Sequence, residues 1–243
     1  MFLRRLFLKQ DYFILCRTKL RQGLLFDMVQ KRRGRPREYD HDSALARAME
    51  VFWGRGFTAT SLDDLGAAMG MNRPSVYAAF GDKHELFVKA LKFYRDAGQS
   101  ALPSLLAPER PLLASLRALF SMLLATYLSG EDAPRGCLMF TVAAAEAAKD
   151  PVVRTLVADA TRAFDAAFEA RFEIARKRGE VATTADPVAL AKLASGLVHT
   201  LAVRACAGEK KSSLEGVIDA FLRALCGPEA RSHGSPKGRR ISR

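Results

Sequence analysis

Residues 61–87 read SLDDLGAAMGMNRPSVYAAFGDKHELF, and the spacing of three capping residues in this stretch decides the fold. Ser61 precedes LDDLGAAM, and Asp64 three residues on completes an approximate capping box, in which hydroxyl and acid each satisfy a free backbone N–H. Gly70 supplies the stop. Asn72 is a good N-cap for a second short helix, RPSVYAAF, where Pro74 is tolerated because first-turn N–H groups have no intrahelical partner. Gly81 closes it, and Asp82 with Glu85 opens a longer helix that carries Leu86, Phe87, Ala90, Leu91 and Tyr94.

Working outward, the segment from Asp42 to Arg55 places Leu45, Ala48, Met49 and Phe52 on one helical face and ends at Gly56. Two short helices joined by a turn at Gly70–Asn72 and braced by a preceding helix are the helix-turn-helix arrangement. Its second helix must be slim and polar outside to enter a DNA major groove about 12 Å wide. Arg73, Ser75 and Tyr77 supply that polar side, while Val76 and Phe80 anchor the helix and Ala78 and Ala79 keep its flank thin. Lys83 begins the next helix, where its charge and the free N–H groups suit a phosphate.

Beyond Tyr94 apolar residues continue at spacings of three and four with almost no alternating β-branched run, so the whole body is expected to be helical. After a Pro-containing stretch at Pro103, Pro108 and Pro111, residues 112–128 form a wide apolar face. SGEDAPRG breaks the pattern before residues 137–148, and further helices are expected near 151–178, 186–207 and 213–226. The fold class is therefore all-α: an N-terminal three-helix helix-turn-helix DNA-binding domain with its connecting helix (39–97), then a second helical domain (98–226). Residues 1–38 and 227–243 carry the composition of disordered basic ends. Met28 is expected to be the true start, since MVQKRRGRPREYD reads as a natural basic arm; the rival reading of residues 1–27 is a basic amphipathic segment on a membrane surface.

The charge of +12 sits in those ends: residues 1–38 hold 11 Lys/Arg against 3 Asp/Glu, residues 229–243 hold 5 against 1, and the remainder is balanced. Basic arms add salt-dependent affinity for any duplex without reading sequence. The four cysteines are scattered without a C-x-x-C pair, which fits reduced thiols in a cytoplasm. No stretch reaches 18 uninterrupted apolar residues, and no membrane partner is expected. The four histidines lack metal-ligand spacing, and there is no catalytic triad, P-loop or dinucleotide fingerprint, so no metal, cofactor or enzymatic activity is expected.

From Arg35 to Tyr94, through GRPREYD and ALARAMEVFWGRGFTATSLDDLGAAMGMNRPSVYAAFGDKHELF, the chain resembles the DNA-binding domain of the TetR/AcrR family of bacterial regulators. The resemblance implies that Thr60 and Ser61 contact phosphate, that Arg73, Pro74, Ser75 and Tyr77 form the recognition surface, that Lys83 clamps the backbone, and that Arg35 and Arg37 reach a neighbouring groove. GMNRPS departs from better-known relatives, so the bases read are not inherited. RGCLM, from Arg135 to Met139, is similar to a G-C-[LFM] turn of one subgroup.

The resemblance further implies that residues 98–226 are a helical ligand-binding and dimerisation domain, and that the chain is a homodimer on a palindromic operator, released by a small-molecule effector or by modification of a sensor site. The small and apolar faces of the last two helices, with Leu193, Leu197, Leu201, Val217, Ile218 and Phe221, are the expected dimer interface; a monomer's own core is the other reading. Phe120, Leu124, Tyr127, Cys137, Leu138, Phe140, Phe164 and Phe168 are the expected ligand pocket, and core packing explains them equally well. Glu146 near that face is placed to orient a polar or cationic ligand, or is simply exposed. Cys137, following Arg135 and Gly136 at a helix start, is expected either to have a lowered thiol pKa and react as a sensor or to pack in a tight turn. A ligand-independent dimeric or architectural DNA binder is the alternative function, favoured by a solid core where the sensor reading needs a cavity.

Overall fold

The structure, a computed structural model, describes residues 40–130 and 133–226. The expected basic ends, with Arg35, Arg37 and Met28, lie outside the described residues. Among the described residues there is no strand, and the chain is helical from His41 onward.

Helix α1 (His41–Arg55) buries Leu45, Ala48, Met49, Phe52 and Trp53, a stripe at helical spacing. Gly56, at φ 76°, ends it with its N–H on the Phe52 carbonyl at 2.8 Å. Helix α2 (Leu62–Met69) starts at Ser61, whose Oγ accepts the Asp64 N–H while the Asp64 carboxylate accepts the Ser61 N–H. Gly70 leaves it in the left-handed region, φ 69° and ψ 31°, which lets the Met71 N–H close on the Gly66 carbonyl at 2.8 Å. Helix α3 (Arg73–Phe80) starts at Asn72, whose side chain accepts the Ser75 N–H.

Helix α4 (Lys83–Leu105) opens with the Asp82–Glu85 capping box and runs unbroken through residue 97, where a domain boundary was expected, and through Pro103. Pro103 lies within the last turn, two residues before the helix ends at Leu105.

Helix α5 (Leu112–Tyr127) has Pro111 at its N-cap and no side-chain cap of its own. Glu180, from far along the chain, takes that role: its Oε1 accepts the Leu112 N–H at 2.9 Å and its Oε2 holds the guanidinium of buried Arg171 at 3.0 Å. Residues 137–148 do not form one α-helix. Leu138–Ala143 is a π-helical turn, with the Ala144 N–H reaching five residues back to the Met139 carbonyl, and α6 is only Ala144–Glu146. Helices α7 (Pro151–Lys177) and α8 (Pro187–Cys206), capped by Asp150 and Asp186, pack along each other, and α9 (Lys211–Cys226) lies against α5 and α8.

Candidate nucleic-acid interface

Helix α3 buries only Val76 and Phe80; Arg73, Pro74, Ser75, Tyr77, Ala78 and Ala79 are exposed. Tyr77 keeps half its surface in solvent. A large aromatic beside a basic residue on a slim, thinly anchored helix is equipped to reach base edges and phosphates. The approach of α2 to the turn depends on Gly66, which the spacing of caps did not single out. A Cβ there would stand 2.7 Å from the Met71 carbonyl oxygen. Its signal was present, since a glycine inside a helical pattern often marks a close backbone approach.

The polar residues around the motif are engaged to very different degrees. Arg73 donates from Nε and Nη2 to the two carboxylate oxygens of Asp63, each at 2.5 Å. Ser61 is exposed, but its hydroxyl is committed to Asp64. These bonds and the Arg55 guanidinium bring the Asp64 carboxyl from its ordinary 3.8 down to about 2, the Ser61 hydroxyl being the largest cause.

Two expected phosphate contacts need correction. Thr60 is buried and its Oγ1 donates to the Gly56 carbonyl at 2.6 Å, so it fastens the loop between α1 and α2 instead of facing a phosphate. Lys83 likewise turns inward: its Nζ donates to the Phe57 and Thr60 carbonyls at 3.0 and 2.8 Å and lies over the Phe57 ring. The apolar ring and the two carbonyls, of which that of Phe57 also accepts the Thr60 N–H, make a better site for an ammonium than open water at the helix start.

The expected ligand pocket is filled by rings. Phe120 stacks on Phe168 at 6.2 Å, Phe168 on Phe164 and Phe172 at the same spacing, and Phe221 meets Phe120 edge-on at 5.8 Å. Leu124, Tyr127, Cys137 and Leu138 are buried beside them, and Phe140 packs on Phe164 and His199. Two clefts among the described residues lie elsewhere. One, of about 370 Å³, opens between residues 55–59 and Thr141, Val142, Ala145 and Glu146; the other, of about 410 Å³, lies on α8 at His199, Thr200, Val203 and Arg204. Glu146 thus faces the α1–α2 loop, with its carboxylate accepting from Thr58 at 3.4 Å.

The expected lowering of the Cys137 thiol pKa is reversed. Burial pushes it up, and hydrogen bonds from Tyr94 and neighbouring groups offset this only in part. The cation that was to help, Arg135, points away: it pairs with Glu50 and stacks on the Trp53 ring at 3.8 Å. Gly136 makes this turn possible, since at φ 67° a Cβ would stand 2.6 Å from the Ala202 carbonyl oxygen.

Of the expected dimer contacts, Leu197, Leu201 and Ile218 belong to the chain's own core, and Phe221 and Val217 are partly covered. Leu193 stands out at 63% exposed, joined on α8 by Val188 and Val203. Leu193 lies four residues before Leu197 on the same side of α8, at the edge of the core face, so α7 and α5 cover Leu197 and Leu201 and leave Leu193 in solvent.

A tight helix pair set by capping residues, with a thin polar second helix and an all-helical body behind it, defines the class of helix-turn-helix regulators. Comparison with known proteins narrows this. Residues 44–90 match the family described as bacterial regulatory proteins, tetR family, and residues 113–221 match the tetracyclin repressor-like C-terminal domain. The chain belongs to the TetR family. It is 39% identical over 111 residues to the HTH-type transcriptional repressor ComR of Escherichia coli (strain K12), a stretch covering 46% of this chain and 53% of that protein. The match thus spans about half the length of that curated relative. A cysteine-substituted mutant of the TetR family regulator CifR, solved with a 26-base-pair operator duplex, is 31% identical with a TM-score of 0.70, covering 79% of this chain and all of that one. Escherichia coli NemR in its reduced form shares the fold, with a TM-score of 0.68 at 21% identity over 79% of this chain and 99% of that one.

Proposed function

We propose that this chain is a cytoplasmic, homodimeric transcriptional repressor that binds a palindromic operator and is released by a small-molecule effector or by modification of a sensor site. The observation that carries the reading is α3: a helix of eight residues anchored by Val76 and Phe80 alone, with Arg73, Pro74, Ser75 and Tyr77 on its open face. The CifR relative, 31% identical over its whole chain, was solved on operator DNA with the same fold. Arg73, Ser75 and Tyr77 read the groove, Ser61 reaches phosphate by turning its hydroxyl away from Asp64, and Arg35 and Arg37 add salt-dependent affinity.

Two-fold symmetry then matches half-sites one helical turn apart, about 34–36 Å. Val188, Leu193 and Val203 supply the apolar part of the dimer face on α8. By length and composition α8 is apolar enough to cross a membrane, but its other face, with Ala191, Ala194, Val198, Leu201 and Ala202, is core. That packing supports a dimerising helix in a cytoplasmic protein. The relatives are regulators, and we read this chain as a binding protein without catalysis.

Selection of full-length protein on a randomised duplex library tests the reading. The wild type should enrich a palindrome, and Arg73→Ala or Tyr77→Ala should abolish enrichment while the dimer remains in gel filtration. A wild type that enriches nothing overturns it.

A second reading has its own observation. The ring-filled core around Phe120 and Phe168 supports a dimeric DNA binder that needs no ligand. A gel shift on the enriched operator that is unaffected by any ligand, oxidant or metal tried would favour it over the sensor.

A further inference from the structure

Asp63 and Asp64 stand side by side at the start of α2, and only one of them is needed there. Asp64 completes the Ser61 cap. Asp63 takes no part in it; its two oxygens accept from the Nε and Nη2 groups of Arg73, the first residue of α3, so the contact joins the two helices of the motif. Both side chains are well exposed, at 58% and 69%. Exposed pairs contribute little to stability, so this one is poorly explained as a brace for the fold.

Its geometry suits another task. A guanidinium has a side-on edge, Nε with one N–H of Nη2, and an end-on edge, Nη1 with the other N–H of Nη2. Asp63 occupies the first, and among the described residues no hydrogen bond takes up Nη1. The free end-on edge is a parallel pair of donors, the pattern that matches O6 and N7 of guanine in the major groove. The carboxylate also cancels the charge of Arg73 toward phosphates at large.

Resting on the DNA-binding reading above, we propose that Asp63 is the positioning residue of operator readout: it presents the end-on edge of Arg73 to one guanine in each half-site and suppresses indiscriminate attraction of Arg73 to phosphate. Asp63 touches no base itself and acts through Arg73. Specificity is then a difference of two affinities, one held up by the aligned donors and the other held down by the paired charge.

The test uses full-length wild type, Asp63→Asn, Arg73→Ala and the double variant, first in selection on a randomised duplex library and then in titrations on the enriched operator and on a scrambled duplex at several salt concentrations. Asp63→Asn should lose roughly tenfold in preference for guanine at one position per half-site. On the scrambled duplex it should bind more tightly, with a log–log salt slope steeper by about one. On the scrambled duplex, where binding survives in the Arg73→Ala background, the Asp63→Asn change should leave affinity and salt slope unaltered, which a merely structural role at α2 would not predict. Asp63→Asn that keeps the wild-type motif, discrimination and salt slope overturns the proposal while leaving the DNA-binding reading intact. A second Asp63→Asn effect of full size in the Arg73→Ala background overturns it too. A wild type that enriches no motif removes the reading and the proposal together.

Discussion

The helix-turn-helix and the helical body behind it are built by different rules. In the first, each helix begins at its own cap and ends at its own glycine: Ser61 and Gly70, Asn72 and Gly81, all within 21 residues. In the second, α5 has no side-chain cap of its own and takes one from Glu180, 68 positions away, with Arg171 buried behind it. The motif is held by local chemistry and spends its side chains outward. The body is held by distant contacts and turns its largest side chains inward, the stacked run Phe164, Phe168 and Phe172 among them.

That contrast predicts where a truncation hurts. Phe168→Ala removes a ring that is fully buried between two others, and should cost about 3–5 kcal/mol in urea unfolding. Its effect on which operator is selected should be nil. A cost below about 1.5 kcal/mol would show a loosely packed site, collapse of the comparison, and a natural place for an effector.

The next largest effect belongs to Gly136. Alanine there meets both a left-handed backbone and a Cβ 2.6 Å from the Ala202 carbonyl oxygen, so the loss should be about 2–3 kcal/mol. Gly179→Ala, with φ 71° and open space around it, isolates the backbone part and should cost roughly 1 kcal/mol. Equal costs at the two sites would mean that the turn before Cys137 is not packed against α8.

Asn72→Ala reverses the pattern. Losing one N-cap should lower stability by only about 1 kcal/mol, but it loosens the N-terminus of α3, where Arg73 and Ser75 sit. Operator affinity should therefore fall by more than stability does, measured by titration against denaturation of the same preparation.

The same division explains what was legible in the sequence. Every boundary in the motif followed from residues within four positions of it, because caps and left-handed glycines act locally. Thr60 and Lys83 were misplaced since their partners, the Gly56, Phe57 and Thr60 carbonyls, are backbone atoms whose orientation no side-chain pattern reveals. In the body the helices and their apolar faces were readable, but not the phase of each face. Leu197 and Leu201 have the spacing of an interface, and which side of α8 meets α7 depends on the packing of both. The low-pKa reading of Cys137 failed similarly, while its packing in a tight turn agrees with its burial: Arg135 is two residues away in sequence, yet Glu50 and Trp53 draw its guanidinium elsewhere. The fold was local enough to read, and the charge environment of its interior was not.

The smallest effect, and the most local, is a pH dependence seated in the first cap. The folded-state pKa of Asp64, about 2, lies below its ordinary 3.8, so the ionised form is the one the fold favours. Its contribution is fully present above pH 3.8 and is lost as pH falls toward 2, because there the unfolded chain takes up the proton first. Ser61→Ala removes the largest cause of that shift and should flatten the acid limb of a stability profile within this window, while leaving the profile near neutrality shallow in both proteins. Because Asp64 is only partly covered from solvent, added salt should shrink the contribution of Arg55 but spare that of the Ser61 hydrogen bonds. An acid limb in Ser61→Ala as steep as in the wild type would show that the cap is not held by this pair, and the case for a motif fixed by local chemistry would weaken at its first residue.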